Sequence, residues 1–259
     1  MGILTGKTAI VYGGGGSIGA AIAAAFTSEG ARVHLAGRSE DKLAAAAAAA
    51  GGETTIGVLD ALDEDAVDRD VASVVARHGA VDISFNLISR PDVQGTPLVD
   101  MTTSQLMAAV NTGLLSNCIT ARAAARQMIR QGSGVILHLN SASGGGAMPG
   151  MGSTGPADAA IETYLRYLAA ELGPAGIRVC GIWTAGVQET LTTEKISKVT
   201  GETANPGAAA ALEMIASMAA LRRPPRLADV TGAATFLASD LAAGVTGTML
   251  NVTCGLVLR

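Results

Sequence analysis

The chain has 259 residues, 49% of them hydrophobic and 15% charged, well above the apolar content of a disordered chain and enough for a sizeable core in one domain. A net charge of -4 with scattered Lys and Arg leaves no electrostatic footprint for a phosphate backbone, which excludes nucleic acid as an expected partner. Cys118, Cys180 and Cys254 are odd in number, far apart and without metal-ligand spacing, so they read as buried thiols in a reducing cytoplasm, not as disulfides or a metal site.

Residues 1–7 lack the basic region and apolar core of a secretion signal, and the longest apolar stretch, the alanines at 44–50, is too short to span a bilayer. A cytoplasmic protein without membrane contact is the expectation. Short apolar or β-branched runs at 8–12, 32–36, 55–59, 82–86, 134–140, 177–182 and 248–252 read as strands. Between them lie helical stretches at 17–29, 40–50, 63–78, 103–130, 157–172 and 227–238. Strands without polar alternation are buried on both faces, which requires parallel pairing with helices above and below. The expected fold class is therefore α/β, a Rossmann-type doubly wound parallel sheet in a single domain.

Directly after the first strand comes Tyr12-Gly13-Gly14-Gly15-Gly16-Ser17-Ile18-Gly19, followed by an Ala-rich helix. Glycines at such a turn let backbone approach a pyrophosphate, and the helix N-terminus adds free N–H groups and a positive dipole. Ser17 is placed to cap the helix. The second strand ends at Gly37-Arg38, where an acidic residue would accept hydrogen bonds from a ribose and repel a 2′-phosphate; the pair favours NADP(H), with NAD(H) possible. Arg38 also reads as an ordinary solvated residue at a helix start.

This turn resembles that of the short-chain dehydrogenase/reductase family, with Gly13 and Gly19 matching, Tyr12 in place of a Thr and Ser17 in place of the middle Gly. Ser17-Ile18 is similar to the Ser-Ile pair of the enoyl-acyl-carrier-protein reductase branch. The resemblance implies cofactor contacts at Gly13, Gly16, Ser17, Ile18, Gly19, Arg38, Asp60 and Asn86, although Asp60 also reads as a turn cap. It implies a catalytic Asn in the fourth helix, a Ser after the fifth strand, and a Tyr and Lys spaced i, i+4 in the fifth helix. Asn111 and Ser141 match the first two, whereas the Tyr and Lys positions hold Thr154 and Asp158.

A Tyr phenol becomes a usable acid beside an ammonium group, whereas a Thr hydroxyl is too weak an acid and a carboxylate moves a neighbouring hydroxyl the wrong way. Asp158 reads either as an acceptor for nicotinamide-ribose hydroxyls or as a helix N-terminal charge after Pro156. His138 falls on the opposite face of its strand from Ser141 and reads as a satisfied core residue; Tyr164 should face away from the site. Residues 186–221 interrupt the alternation and are expected to form a substrate lid, or else a surface or subunit-contact excursion.

The family resemblance extends to Asp229-Val230, Phe236-Leu237-Ala238-Ser239-Asp240, Val245-Thr246-Gly247 and Cys254-Gly255. It implies a homodimer or homotetramer. The leading expectation is an NADP(H)-dependent oxidoreductase with an atypical site, acting on a small conjugated carbonyl, enone or quinone-type molecule. A non-redox cyclase or dehydratase, and an inactive dinucleotide-binding partner subunit, remain open alternatives. An open polar pocket would favour an enzyme, and one filled by Met148, Met151 and Trp183 the partner subunit.

Overall fold

The computed structural model describes residues 2–201 and 206–258. Residues 202–205, inside the expected lid, lie outside the described residues. Strands β1 (Thr8–Tyr12), β2 (Arg32–Gly37), β3 (Thr54–Val58), β4 (Ile83–Asn86), β5 (Gly134–Ser141), β6 (Ile177–Thr184) and β7 (Met249–Val252) form one sheet in the order β3-β2-β1-β4-β5-β6-β7. Every neighbouring pair is parallel. The strand order reverses between β1 and β4, and a doubly wound sheet opens a ligand crevice at that point, beyond the strand C-termini.

The expected sandwich is present. On one face α3 (Glu64–His78), α4 (Thr103–Gln131) and α5 (Thr154–Leu172) pack Val67, Val71, Met128, Ile161 and Leu165 against Ile10 and Tyr12 of β1. On the other, α1 (Ser17–Ser28), α2 (Glu40–Ala50) and α8 (Leu227–Ala238) pack Ile22, Phe26, Leu43 and Leu237 against Ala9 and Val11. All five residues of β1 are buried, which is why its sequence shows no polar alternation.

Two local departures shape the site. The fifth helix begins at Thr154, earlier than the expected 157, because Pro156 lies in its first turn, where a missing N–H costs nothing. The insertion after β6 contains two helices, α6 (Thr193–Thr200) and α7 (Ala208–Met218). Of the cysteines, Cys180 and Cys254 are buried, but Cys118 is only half-buried, on α4, a correction to the expectation that all three are interior.

Candidate active site

The glycine-rich turn leads from β1 into α1. Gly13 has φ +79°, and a Cβ there would stand 2.6 Å from the Leu87 carbonyl oxygen; one at Gly19 would stand 2.6 Å from the Gly13 carbonyl oxygen. Neither contact tolerates a side chain, so the backbone forms a bare, tight cradle. The N-cap is Gly16, without a side-chain cap, and Ser17 is the first helical residue, which corrects the capping role expected of Ser17. Its hydroxyl instead lies 3.4 Å from Lys195 Nζ, reaching across from α6. Ile18, in the first turn of α1, is half-buried and packs on the core.

Arg38 stands exposed immediately after Gly37 at the end of β2. Asp60 is exposed, and its Oδ1 accepts the Leu62 N–H at 3.0 Å, so this carboxylate is engaged in its own turn. Asn86, buried at the end of β4, accepts the Ile88 N–H and donates to Thr120 Oγ1, both at 3.0 Å. It holds the chain that runs from β4 past the glycine turn.

Of the residues expected at the catalytic positions, the structure brings together Ser141, Thr154 and Asp158 and leaves Asn111 out. Asn111 is exposed on α4, whereas the α4 residues that line the cavity are Gly113 and Asn117, the first of them two positions later and about 200° around the helix axis. The expected role for Asn111 is therefore corrected on geometry. At Gly113 a Cβ would meet the Arg90 side chain at 2.6 Å, so the absent side chain makes room for Arg90.

That arginine, which the sequence reading missed, organises the site. Its Nη1 lies 2.7 Å from Asp158 Oδ1, and its Nε and Nη2 donate to the two Asp92 oxygens at 3.1 Å. Asp158 is fully buried, and the Ser141 hydroxyl donates to its Oδ2 at 2.5 Å. Asp158 Oδ2 accepts the Ser141 hydroxyl, and Oδ1 is ion-paired with Arg90 without an aligned hydrogen bond; the buried, paired carboxylate corrects the readings of Asp158 as a ribose acceptor and as a free helix-start charge. Burial pushes the Asp158 carboxyl up to about 6, with Arg90 and the Ser141 hydrogen bond acting in the opposite direction. The sign reversal at the expected Lys position was the available signal, since a buried carboxylate demands a compensating cation. Thr154 is buried and accepts from Gln94 Nε2 at 3.1 Å.

Above these groups opens a cavity of about 540 Å³, lined at its polar end by Arg90, Asn117 and Ser141. Leu191 and Ile196 in and before α6, with Met214, Ile215 and Met218 of α7, form its apolar cover. Met148 and Met151 line the cavity without filling it, while Trp183 donates its indole N–H to Glu162 at 2.7 Å elsewhere. His138 is buried, with Nδ1 3.3 Å from the Cys180 carbonyl, and burial drives it down to about 3, so it stays neutral. Among the described residues its Nε2 has no hydrogen-bond partner, so it is less satisfied than expected. Tyr164 packs on the core between α5 and its neighbours, away from the cavity, as the helical spacing implies.

The reversal of strand order, the bare glycine turn beside it and the covered cavity define the class as a doubly wound enzyme of the dinucleotide-fold type. Residues 14–257 match the family described as Enoyl-(Acyl carrier protein) reductase. The chain is 31% identical to "Oxidoreductase asL5" of Sarocladium schorii over 98% of this chain and 96% of that one. It is also 31% identical to L-rhamnose 1-dehydrogenase (NAD(P)(+)) of Azotobacter vinelandii, over 99% of both chains. The structure of an NAD+-bound xylitol dehydrogenase superposes with a TM-score of 0.87 at 26% identity, covering 97% of this chain and 99% of that one. The chain belongs to the short-chain dehydrogenase/reductase family and is an oxidoreductase of that family.

Proposed function

We propose that the protein is an NADP(H)-dependent reductase with an atypical acid–base group, acting on a small conjugated carbonyl, enone or quinone. The observation that carries this reading is the bare cradle at Gly13 and Gly19 beside a cavity whose polar end presents Ser141 hydrogen-bonded to Asp158. The cradle fits a pyrophosphate, since both backbone approaches close to any side chain. Gly16, Ser17 and Ile18 complete that turn, Asn86 supports it, and Asp60 borders the adenine side. When bound, the dinucleotide supplies the hydride.

Relatives' names include both NAD and NAD(P) users, so the choice rests on this chain's own residues. Gly37 removes the acidic repulsion of a 2′-phosphate, and exposed Arg38 supplies a guanidinium for it. Isothermal titration is expected to show NADPH binding at least tenfold tighter than NADH, with Arg38→Ala erasing the difference, because a charge-assisted hydrogen bond is worth roughly 1.5–3 kcal/mol. Equal affinity of the wild type for both would remove the NADP assignment.

For the substrate, Thr154 cannot act as a strong acid, and a carboxyl near 6 is matched to a product oxygen that is itself acidic, as in an enol or a phenol. The apolar cover from α6 and α7 suits a ring-bearing, uncharged body, and we assign residues 186–221 the role of substrate lid. The open cavity argues against the inactive-partner alternative.

We further propose a homodimer or homotetramer associating through α4, α5, α8 and β7. Leu115, Ile129, Tyr167 and Phe236 expose 48%, 52%, 70% and 37% of their surface along α4, α5 and α8, a cost for a free monomer. Light scattering at micromolar concentration is expected to give at least twice the monomer mass, and a monomer would contradict this.

A further inference from the structure

The site offers a proton path that does not depend on a tyrosine. Ser141 is half-buried at the cavity wall, while Asp158 behind it is sealed from solvent. The Ser141 hydroxyl donates to Asp158 Oδ2 and accepts the Ser143 N–H at 3.2 Å, the orientation that suits an ionised Asp158; a protonated Asp158 would instead donate to Ser141 Oγ and free the Ser141 proton for the cavity. Arg90 is ion-paired with the other carboxylate oxygen at 2.7 Å, and Asp92 holds Arg90 by two hydrogen bonds. We propose that Ser141 and Asp158 form a two-member proton relay between the cavity and a buried carboxyl, with Arg90 as the positioning residue. The inference rests on the reductase reading given above.

In the reductive direction a bound reduced dinucleotide would supply the hydride, and the Ser141 hydroxyl, turned toward the cavity when Asp158 is protonated, would give its proton to the substrate oxygen. Ser141 Oγ in turn takes the proton of the Asp158 carboxyl, leaving Asp158 as a carboxylate paired with Arg90. The sum is substrate, reduced dinucleotide and one proton going to reduced substrate and oxidised dinucleotide. Solvent returns the proton through Ser141 once the product has left the cavity. Oxidation runs the same path backwards, with the carboxylate as base.

Among the described residues the charged and titratable groups around Asp158 are few. Arg90 and Asp92 approach from the segment after β4, Glu162 follows one turn later on α5 and is tied to Trp183, neutral His138 lies on β5, and Lys195 of α6 lines the same cavity. Of these, Arg90 alone touches the carboxylate; burial first and the Asp92 charge last favour the protonated form, while Arg90 and the Ser141 hydrogen bond oppose it.

The test labels aspartate carboxyl carbons with carbon-13 and follows their NMR titration, assigning Asp158 by its loss in Asp158→Asn. In parallel, NADPH-driven reduction of an enone and a quinone is measured across pH. The carboxyl is expected to titrate near pH 6, upward in Ser141→Ala and Arg90→Met and unmoved in Arg90→Lys. Reduction consumes the protonated acid, so kcat is expected to fall tenfold per pH unit above that midpoint. Asp158→Asn and Ser141→Ala should abolish this limb and lower kcat about a hundredfold or more while NADPH still binds. The relay is overturned if Asp158 stays ionised down to pH 4, if the limb survives in Asp158→Asn, or if the wild type binds NADPH and reduces neither substrate. Failure to bind NADPH would sink the cofactor reading instead; the titration and its upward movement in Ser141→Ala would still decide whether this pair holds the proton.

Discussion

Asp158→Lys, alone or with Thr154→Tyr, is expected to destabilise the protein by about 3–5 kcal/mol and to give no gain in ketone reduction. From the sequence, this pair of changes looks like the repair of a lost catalytic set, because Tyr and Lys one helical turn apart would share a face. The surroundings of position 158 argue against it. Position 158 is fully buried, and Arg90 Nη1 lies 2.7 Å from its carboxylate, so a lysine there would set two cations against each other out of reach of water. Asp92 would be left to neutralise both. Urea unfolding measures the loss directly, and adding Arg90→Met to Asp158→Lys should recover much of it by removing the like charge. Wild-type stability in Asp158→Lys would show that the Arg90 pair contributes nothing.

The second large effect is expected at the glycine turn. Gly13→Ala meets two costs at once: φ of +79°, strained for any residue with a Cβ, and a 2.6 Å approach to the Leu87 carbonyl oxygen. The turn must shift, and NADPH affinity should fall by about a hundredfold, since backbone approach is what the cradle offers. Gly79→Ala is the matched control. Its φ is +85° with open space around the added Cβ, so it carries the conformational cost, on the order of 1–2 kcal/mol, without a clash and far from the turn. Calorimetric titration of both variants separates strain from contact. Similar NADPH affinity in Gly13→Ala and wild type would mean that the dinucleotide does not use this turn.

The sequence by itself determined the doubly wound sheet, the order of its helices, the glycine turn and the place of Ser141. Each of these is a local signal: a buried strand shows as an apolar run, a helix start as spacing, and a tight turn as consecutive glycines. The insertion after β6 was legible as an interruption, but not as two helices over a cavity, because their apolar faces have meaning only against what they cover. The chemistry of the site was decided by tertiary structure. Asn111 fits a motif yet faces solvent, and Gly113, which shows no chemistry in the sequence, faces the site and yields its volume to Arg90. Asp158 reads as a lone reversed charge until Arg90 and Ser141, distant in the chain, arrive at its two oxygens. The physical reason is that a buried charge takes its state from desolvation and from partners brought within about 3 Å by the packing of α4, α5 and β5, and no periodicity or spacing along the chain encodes that distance.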